Sequence, residues 1–194
     1  MKRQLTLAEY RTVDLTILAV ILAVLEYGMT LAARQWYPEQ LYTVSLSSAL
    51  CAIVLMRWGI WAGFHAMLGG AVFWYASGGT WQQLLIYGIG NLAALLVLPL
   101  LGRGGKEKIR RDKLLTALFA LAVTLAMQLG RAVMALLLGT SLGTCVGFFT
   151  TDALSSVFAM VVVSLAARLD GVFEDQKQYL CRLQEQQKKE KGGF

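Results

Sequence analysis

Six apolar stretches, most of them close to the ~20 residues that a helix needs to cross ~30 Å of hydrocarbon, constrain this chain more than any other feature. They run Asp14–Ala33, Tyr42–Met56, Trp58–Ala76, Trp81–Leu101, Leu114–Gly139 and Gly147–Arg168. Only a helix or a closed barrel satisfies backbone groups in lipid, and runs of this length are not barrel strands. An all-α membrane protein follows, with six transmembrane helices in one compact bundle. The second run is short and depends most on burial by its neighbours. Residues 1–170 form the bundle in this reading, and residues 171–194 form a cytosolic helical tail. No small-residue cleavage site follows the first run, so no removable signal peptide is expected.

Charge gives the orientation. Sixteen of the 18 Lys and Arg residues lie in the N-terminal segment, at Arg57, in the connection Arg103–Lys113 or from Arg168 onward. In a six-helix chain these segments share one side. The opposite loops, Arg34–Leu41, Ser77–Thr80 and Thr140–Val146, carry only Arg34. The positive-inside rule places both termini in the cytoplasm of a prokaryotic cell with the bundle in the plasma membrane. The net charge of +6 therefore reads as topology. No basic stripe with interleaved aromatics points to nucleic acid. Cys51, Cys145 and Cys181 have no metal spacing and are expected to be unpaired filler. No metal or cofactor is expected.

Polar residues inside apolar helices carry the functional reading. Thr124, Gln128 and Arg131 recur at i, i+4, i+7 on the fifth run and form one stripe. Gln83, Tyr87 and Asn91 share a face of the fourth, and Asp152, Ser155 and Ser156 lie near the outer end of the sixth. The three stripes are expected to meet at a cavity open to the outside. A guanidinium at Arg131 requires a cavity, a partner or an anionic ligand. It either pairs with Glu26 or Asp152 or grips a carboxylate or phosphate through its planar fork. In the second case Tyr87, Asn91 and Gln128 supply directed hydrogen bonds, and Trp74 or Trp36 stacks on a flat ring. The aromatics also fit an interfacial belt. His65 reads as a hydrogen-bonded packing residue.

Small residues form two strips. Ala19 and Ala23 lie on the first run; Ala62, Ala66 and Gly70 follow at intervals of four on the third. Either strip serves close packing inside the bundle or a surface for another membrane protein. Glu26 lies seven residues from Ala19, a rotation of about −20° on a 3.6-residue helix, and so shares that face; it is a candidate substrate-binding residue unless the strip faces a partner, in which case Glu26 faces the partner too. The segment 172–190 suggests a helix with Phe173, Leu180 and Leu183 as a weak apolar stripe, either a solvated tail or a docking surface for a partner or lipid headgroups.

The six-helix layout, the AxxxA strip and the stretch RWGIWAGFHAMLGGAVFWYASGG followed by LIYGIGN, within Arg57–Leu98, resemble the substrate-binding S components of energy-coupling factor (ECF) transporters. That resemblance implies high-affinity binding of a vitamin or related micronutrient near the outer face. It implies partners as well: a transmembrane coupling protein and two cytosolic ATPase subunits, whose ATP hydrolysis topples the S component to deliver substrate inside. It maps Ala19 and Ala23 onto the coupling-protein contact, with Ala62, Ala66 and Gly70 as an extension, and gives Trp36 and Tyr37 a gating role in the first outer loop. That loop is similar to the one in thiamine-binding members, whose other polar site residues have no one-for-one match here. The chain has no Gly-rich loop ending in Lys-Ser or Lys-Thr, which fits ATPases on separate chains. A non-transporting membrane scaffold of the cell-shape type and a small stand-alone transporter are the alternatives. No paired acids, His-Glu cluster or nucleophile with its base suggests an enzyme.

Overall fold

The computed structural model describes residues 6–39, 42, 44–102 and 104–191. Lys2, Arg3, Leu41, Arg103, Gly192, Gly193 and the side chain of Leu183 lie outside the described residues. All described regular structure is helical: α1 (Leu7–Trp36), α2 (Ser47–Trp58), α3 (Ala62–Ser77), α4 (Trp81–Gly90), α5 (Gly105–Arg111), α6 (Lys113–Leu137), α7 (Leu142–Thr151), α8 (Ala153–Ala166) and α9 (Gln176–Lys191). α4 continues without a break as a 3₁₀ helix, Asn91–Leu101.

Helix starts are written in the sequence. Thr6 with Glu9 and Thr80 with Gln83 form capping boxes on α1 and α4, each pairing two otherwise orphaned N–H groups. Asp112 accepts from the N–H groups of Leu114 and Leu115 at the start of α6, and Ser141 caps α7.

Among the described residues, five continuous helical stretches are long and apolar enough to cross a membrane: Leu7–Trp36, Ser47–Ser77, Trp81–Leu101, Lys113–Leu137 and Leu142–Ala166. The six runs thus correspond to five such stretches, because the second and third join. The joined stretch nevertheless doubles back. Gly59 adopts φ +61°, a left-handed conformation that costs glycine nothing, and turns the chain at the end of α2. The Cys51 thiol comes within 3.7 Å of the Ala62 carbonyl, and the Ser47 hydroxyl lies against Gly69. Eleven residues along one straight helix would span about 16 Å, so α2 and α3 are a hairpin. At 12 residues α2 is about 18 Å long. Every residue from Ser47 to Arg57 is buried, with α1, α3, α6 and α8 packed around it. Its shortness is accommodated by this central position.

α1 is peripheral and packs chiefly on α3. Its inward face presents Leu22, Glu26 and Thr30 at four-residue spacing, while Val13, Ile17, Val20 and Val24 are exposed. Apolar surface this continuous marks contact with lipid or with another protein.

One end of the bundle is tied by charge. Arg57 donates to both Asp14 oxygens, at 2.9 and 2.5 Å, and to the carbonyls of Gly171 and Val172 at 2.7 and 2.9 Å. Tyr10 donates to Gln176 at 3.2 Å, so the start of α1 and the segment before α9 share this end. Glu174 receives Arg110 at 2.6 Å and also Arg182, and Lys106 meets Asp175 at 2.5 Å. Arg110 and then Arg111, both hydrogen-bonded to Glu107, hold its carboxyl below the ordinary carboxylate range. These contacts revise the expected tail. The bundle continues through Gln176. Phe173, expected on a helical stripe, lies in the loop before α9 and is fully buried against Phe119, with ring centroids 6.3 Å apart.

Candidate functional site

Two glycines place the centre of the site. A Cβ on Gly130 of α6 would lie 2.0 Å from the Gly90 carbonyl oxygen, and one on Gly90 would lie 2.8 Å from the Arg131 Cα. α4 and α6 therefore cross backbone to backbone, as small residues permit. The next residue on each helix, Asn91 and Arg131, then meets the other. Arg131 Nε donates to Asn91 Oδ1 at 2.7 Å. Its Nη1 donates to the carboxylate of Asp152, which sits at the joint between α7 and α8. The guanidinium carbon lies 5.1 Å from the centroid of the Tyr87 ring, a cation–π contact. Arg131 and Asp152 are 7% and 8% exposed, and Asn91 is fully buried. A buried ion pair is retained only with good geometry and supporting hydrogen bonds, and at Arg131 Nη1 meets Asp152 while Nε meets Asn91.

α3 supports this arrangement from the other side. A Cβ on Gly70 would lie 2.1 Å from the Tyr87 carbonyl oxygen, so α4 approaches α3 closely here. Asn91 Nδ2 donates to the Ala66 carbonyl at 3.1 Å, which fixes the amide so that its oxygen faces Arg131. Ala62 and Ala66 are fully buried and Gly70 is buried. This half of the expected partner strip thus faces the bundle interior and cannot touch another protein. Ala19 and Ala23 differ: they line an outer groove of about 540 Å³ with Trp61, Phe64 and Leu68.

Glu26 belongs to the inward face of α1. It is fully buried, accepts from the Ser45 hydroxyl at 2.7 Å and accepts from the Leu46 N–H at 2.8 Å. The Ser45 N–H reaches the Ser155 hydroxyl at 3.1 Å, which ties this carboxylate to α8. Gln128 is 1% exposed, one turn before Arg131, and its amide nitrogen has no partner. His65 packs α3 on α1, with Nε2 3.0 Å from the Leu15 carbonyl and Nδ1 3.4 Å from the Trp61 carbonyl.

Arg131, Asn91, Tyr87 and Asp152 come together, with Glu26 and Gln128 nearby. Trp36 and Trp74 do not join them. Trp36 is 71% exposed at the end of α1, and the Trp74 indole N–H is spent on the Thr80 carbonyl at 2.7 Å, where it closes the α3–α4 turn. Among the described residues, the expected outward-open cavity is not formed at this centre. The space bounded by Ser45, Ser47, Gly69, Gly70, Phe73, Tyr87, Arg131 and Asp152 is about 10 Å³, the size of one water. The covering elements are aromatic: Phe73 and Phe148 pack on Tyr87 at 4.8 and 6.2 Å. The serines at 45 and 47 were missed because Tyr42–Met56 reads as one apolar run. A cluster of three serines opposite a buried Glu was the available signal. Among the described residues no group of three or more His, Cys, Asp or Glu side chains is placed to hold a metal ion.

No family model, curated protein or solved structure matches this chain.

Proposed function

We propose that this chain is a multi-pass membrane protein that binds a small anionic substrate at Arg131, in the manner of an S component. The chain crosses the bilayer six times, α2 and α3 being separate passes, with both termini in the cytoplasm. It supplies no ATPase. Uptake is driven by a transmembrane coupling protein and two ATPase subunits, and the substrate is a vitamin or related micronutrient bearing a carboxylate or phosphate. The observation that carries this reading is a buried guanidinium whose counter-ion sits at the joint of two helices. Asp152 sits at the joint between two helices, and a ligand anion that displaced it would take over a charge-assisted contact. Asn91 and Tyr87 already orient the fork. The element that must move is α7, which has only Cys145 buried and covers the centre through Phe148. Elements with few buried contacts are the ones that open at least cost.

A structural reading has its own support. Arg131 already meets Asp152 and Asn91, and the enclosed space admits only one water, as in a membrane scaffold with no ligand. Mass spectrometry of small molecules released from gently purified protein separates the two. A single acidic compound at near-stoichiometric level is expected. Protein that is empty on purification, and that shows no thermal shift with any acidic micronutrient, would favour the scaffold.

The Ala19–Ala23 groove is the surface proposed for the coupling protein. Ala23→Trp is expected to leave folding and ligand content unchanged and to abolish co-purification with the coupling module, because the groove is filled without disturbing the core. Normal co-purification of the variant would remove the groove from the interface.

A further inference from the structure

We propose that the buried polar centre binds one proton and holds it on Glu26. Three formal charges lie together in this part of the interior: the carboxylates of Glu26 and Asp152 and the guanidinium of Arg131, at 0%, 8% and 7% exposure. Arg131 and Asp152 neutralise each other by direct contact. Glu26 is then an uncompensated charge taken out of water, which a protein interior tolerates only when paired or neutralised.

The surroundings offer no second cation among the described residues. From α6 only Arg131 faces Glu26, and it is already committed to Asp152. From α4 the nearest titratable group is the Tyr87 phenol. α2 presents the hydroxyl of Ser47; its one cation, Arg57, is held by Asp14 at the other end of the bundle. α8 presents Ser155. His65 of α3 is bonded to Leu15, 11 residues before Glu26 on α1, and Arg34 turns to the Ala76 carbonyl at 3.4 Å.

The proton's seat is the carboxyl that no cation contacts directly. The Ser45 hydroxyl and the Leu46 N–H each donate to one Glu26 oxygen, which offsets part of the burial but supplies no positive charge. The direct contact of the guanidinium is with Asp152, so the excess negative charge of the centre rests on Glu26. A metal cation does not fit as well. The space is that of one water, and the Arg131 guanidinium lines it. This inference does not depend on Arg131 binding a ligand.

Infrared spectroscopy of the full-length protein in lipid nanodiscs at neutral pH tests it. A protonated carboxylic acid C=O band is expected in the unmodified chain. The band should shift on labelling with glutamate carrying ¹³C at its side-chain carboxyl, and should not respond to replacing K⁺ by Na⁺. It should be lost in Glu26→Gln. It should also be lost in Asp152→Asn, because Arg131 then neutralises Glu26. The labelling arm uses unmodified protein and stands even where a variant fails to fold. The proposal is overturned by absence of the band, by a band insensitive to labelled glutamate, by a band abolished by Na⁺, or by its persistence in either variant.

Discussion

Arg131→Ala is expected to lower the unfolding free energy by about 3–5 kcal/mol, the cost of removing one partner from a buried ion pair. The loss has two physical parts. Asp152, 8% exposed, loses the guanidinium it contacts. Asn91, held by the Ala66 carbonyl, keeps an oxygen without its donor. Unfolding followed in one detergent at fixed pH measures the effect. The double variant Arg131→Met/Asp152→Leu separates fold from function. Replacing a buried pair by apolar residues of similar volume is often neutral or stabilising, so the double variant should recover most of the lost stability. Under the binding reading it recovers the fold and still carries no ligand. If its ligand content and partner assembly match the unmodified chain, the Arg131 pair is structural and the substrate-binding proposal fails.

How much of this was legible depends on which physical signal each element gave. The stripe Thr124, Gln128, Arg131 is a plain 3.6-residue pattern, and all three residues are buried together. Asp152 as a candidate counter-ion could be named because buried charges seek partners and few acids were in reach. Rotation of the small-residue strips was not legible. Ala62, Ala66 and Gly70 have the same spacing whether they face a partner or α4, and only the contact of Gly70 with the Tyr87 backbone decides it. The 3₁₀ continuation after Gly90 carries no pattern of its own, yet Asn91 stands at its first residue. Tertiary context also overrode local pattern at Phe173. Spaced like part of a helical stripe, it is drawn out of that helix by a buried aromatic site beside Phe119. The closed state of the centre was the least legible feature, since polar stripes that converge look alike whether they enclose a ligand or satisfy one another.

Gly130→Ala is expected to be among the most disruptive single-methyl changes at the described glycines. The added carbon would stand 2.0 Å from the Gly90 carbonyl oxygen and 2.5 Å from the Ala93 Cβ, so α4 and α6 must separate by about an ångström. Because one obstacle is backbone, no side-chain rotation relieves it. The cost should reach or exceed the top of the ~1–3 kcal/mol range for overpacked cores. Gly147→Ala on α7 is the control. Nothing lies within 4 Å of its added carbon, and the change should be neutral or stabilising by up to about 1 kcal/mol through helix propensity. Thermal unfolding of both variants in the same detergent measures the difference. The position of Gly130 gives the experiment a second readout. Gly130 precedes Arg131 and Gly90 precedes Asn91, so the same separation that relieves the clash draws Asn91 Oδ1 away from the 2.7 Å contact with Arg131 Nε. A hydrogen bond lengthened by that amount is lost. The orientation of the guanidinium should therefore fail at temperatures where the helices are still folded. Arg131-dependent ligand retention is expected to disappear below the unfolding transition of Gly130→Ala, and loss of both at one temperature would show that the α4–α6 crossing serves the fold alone.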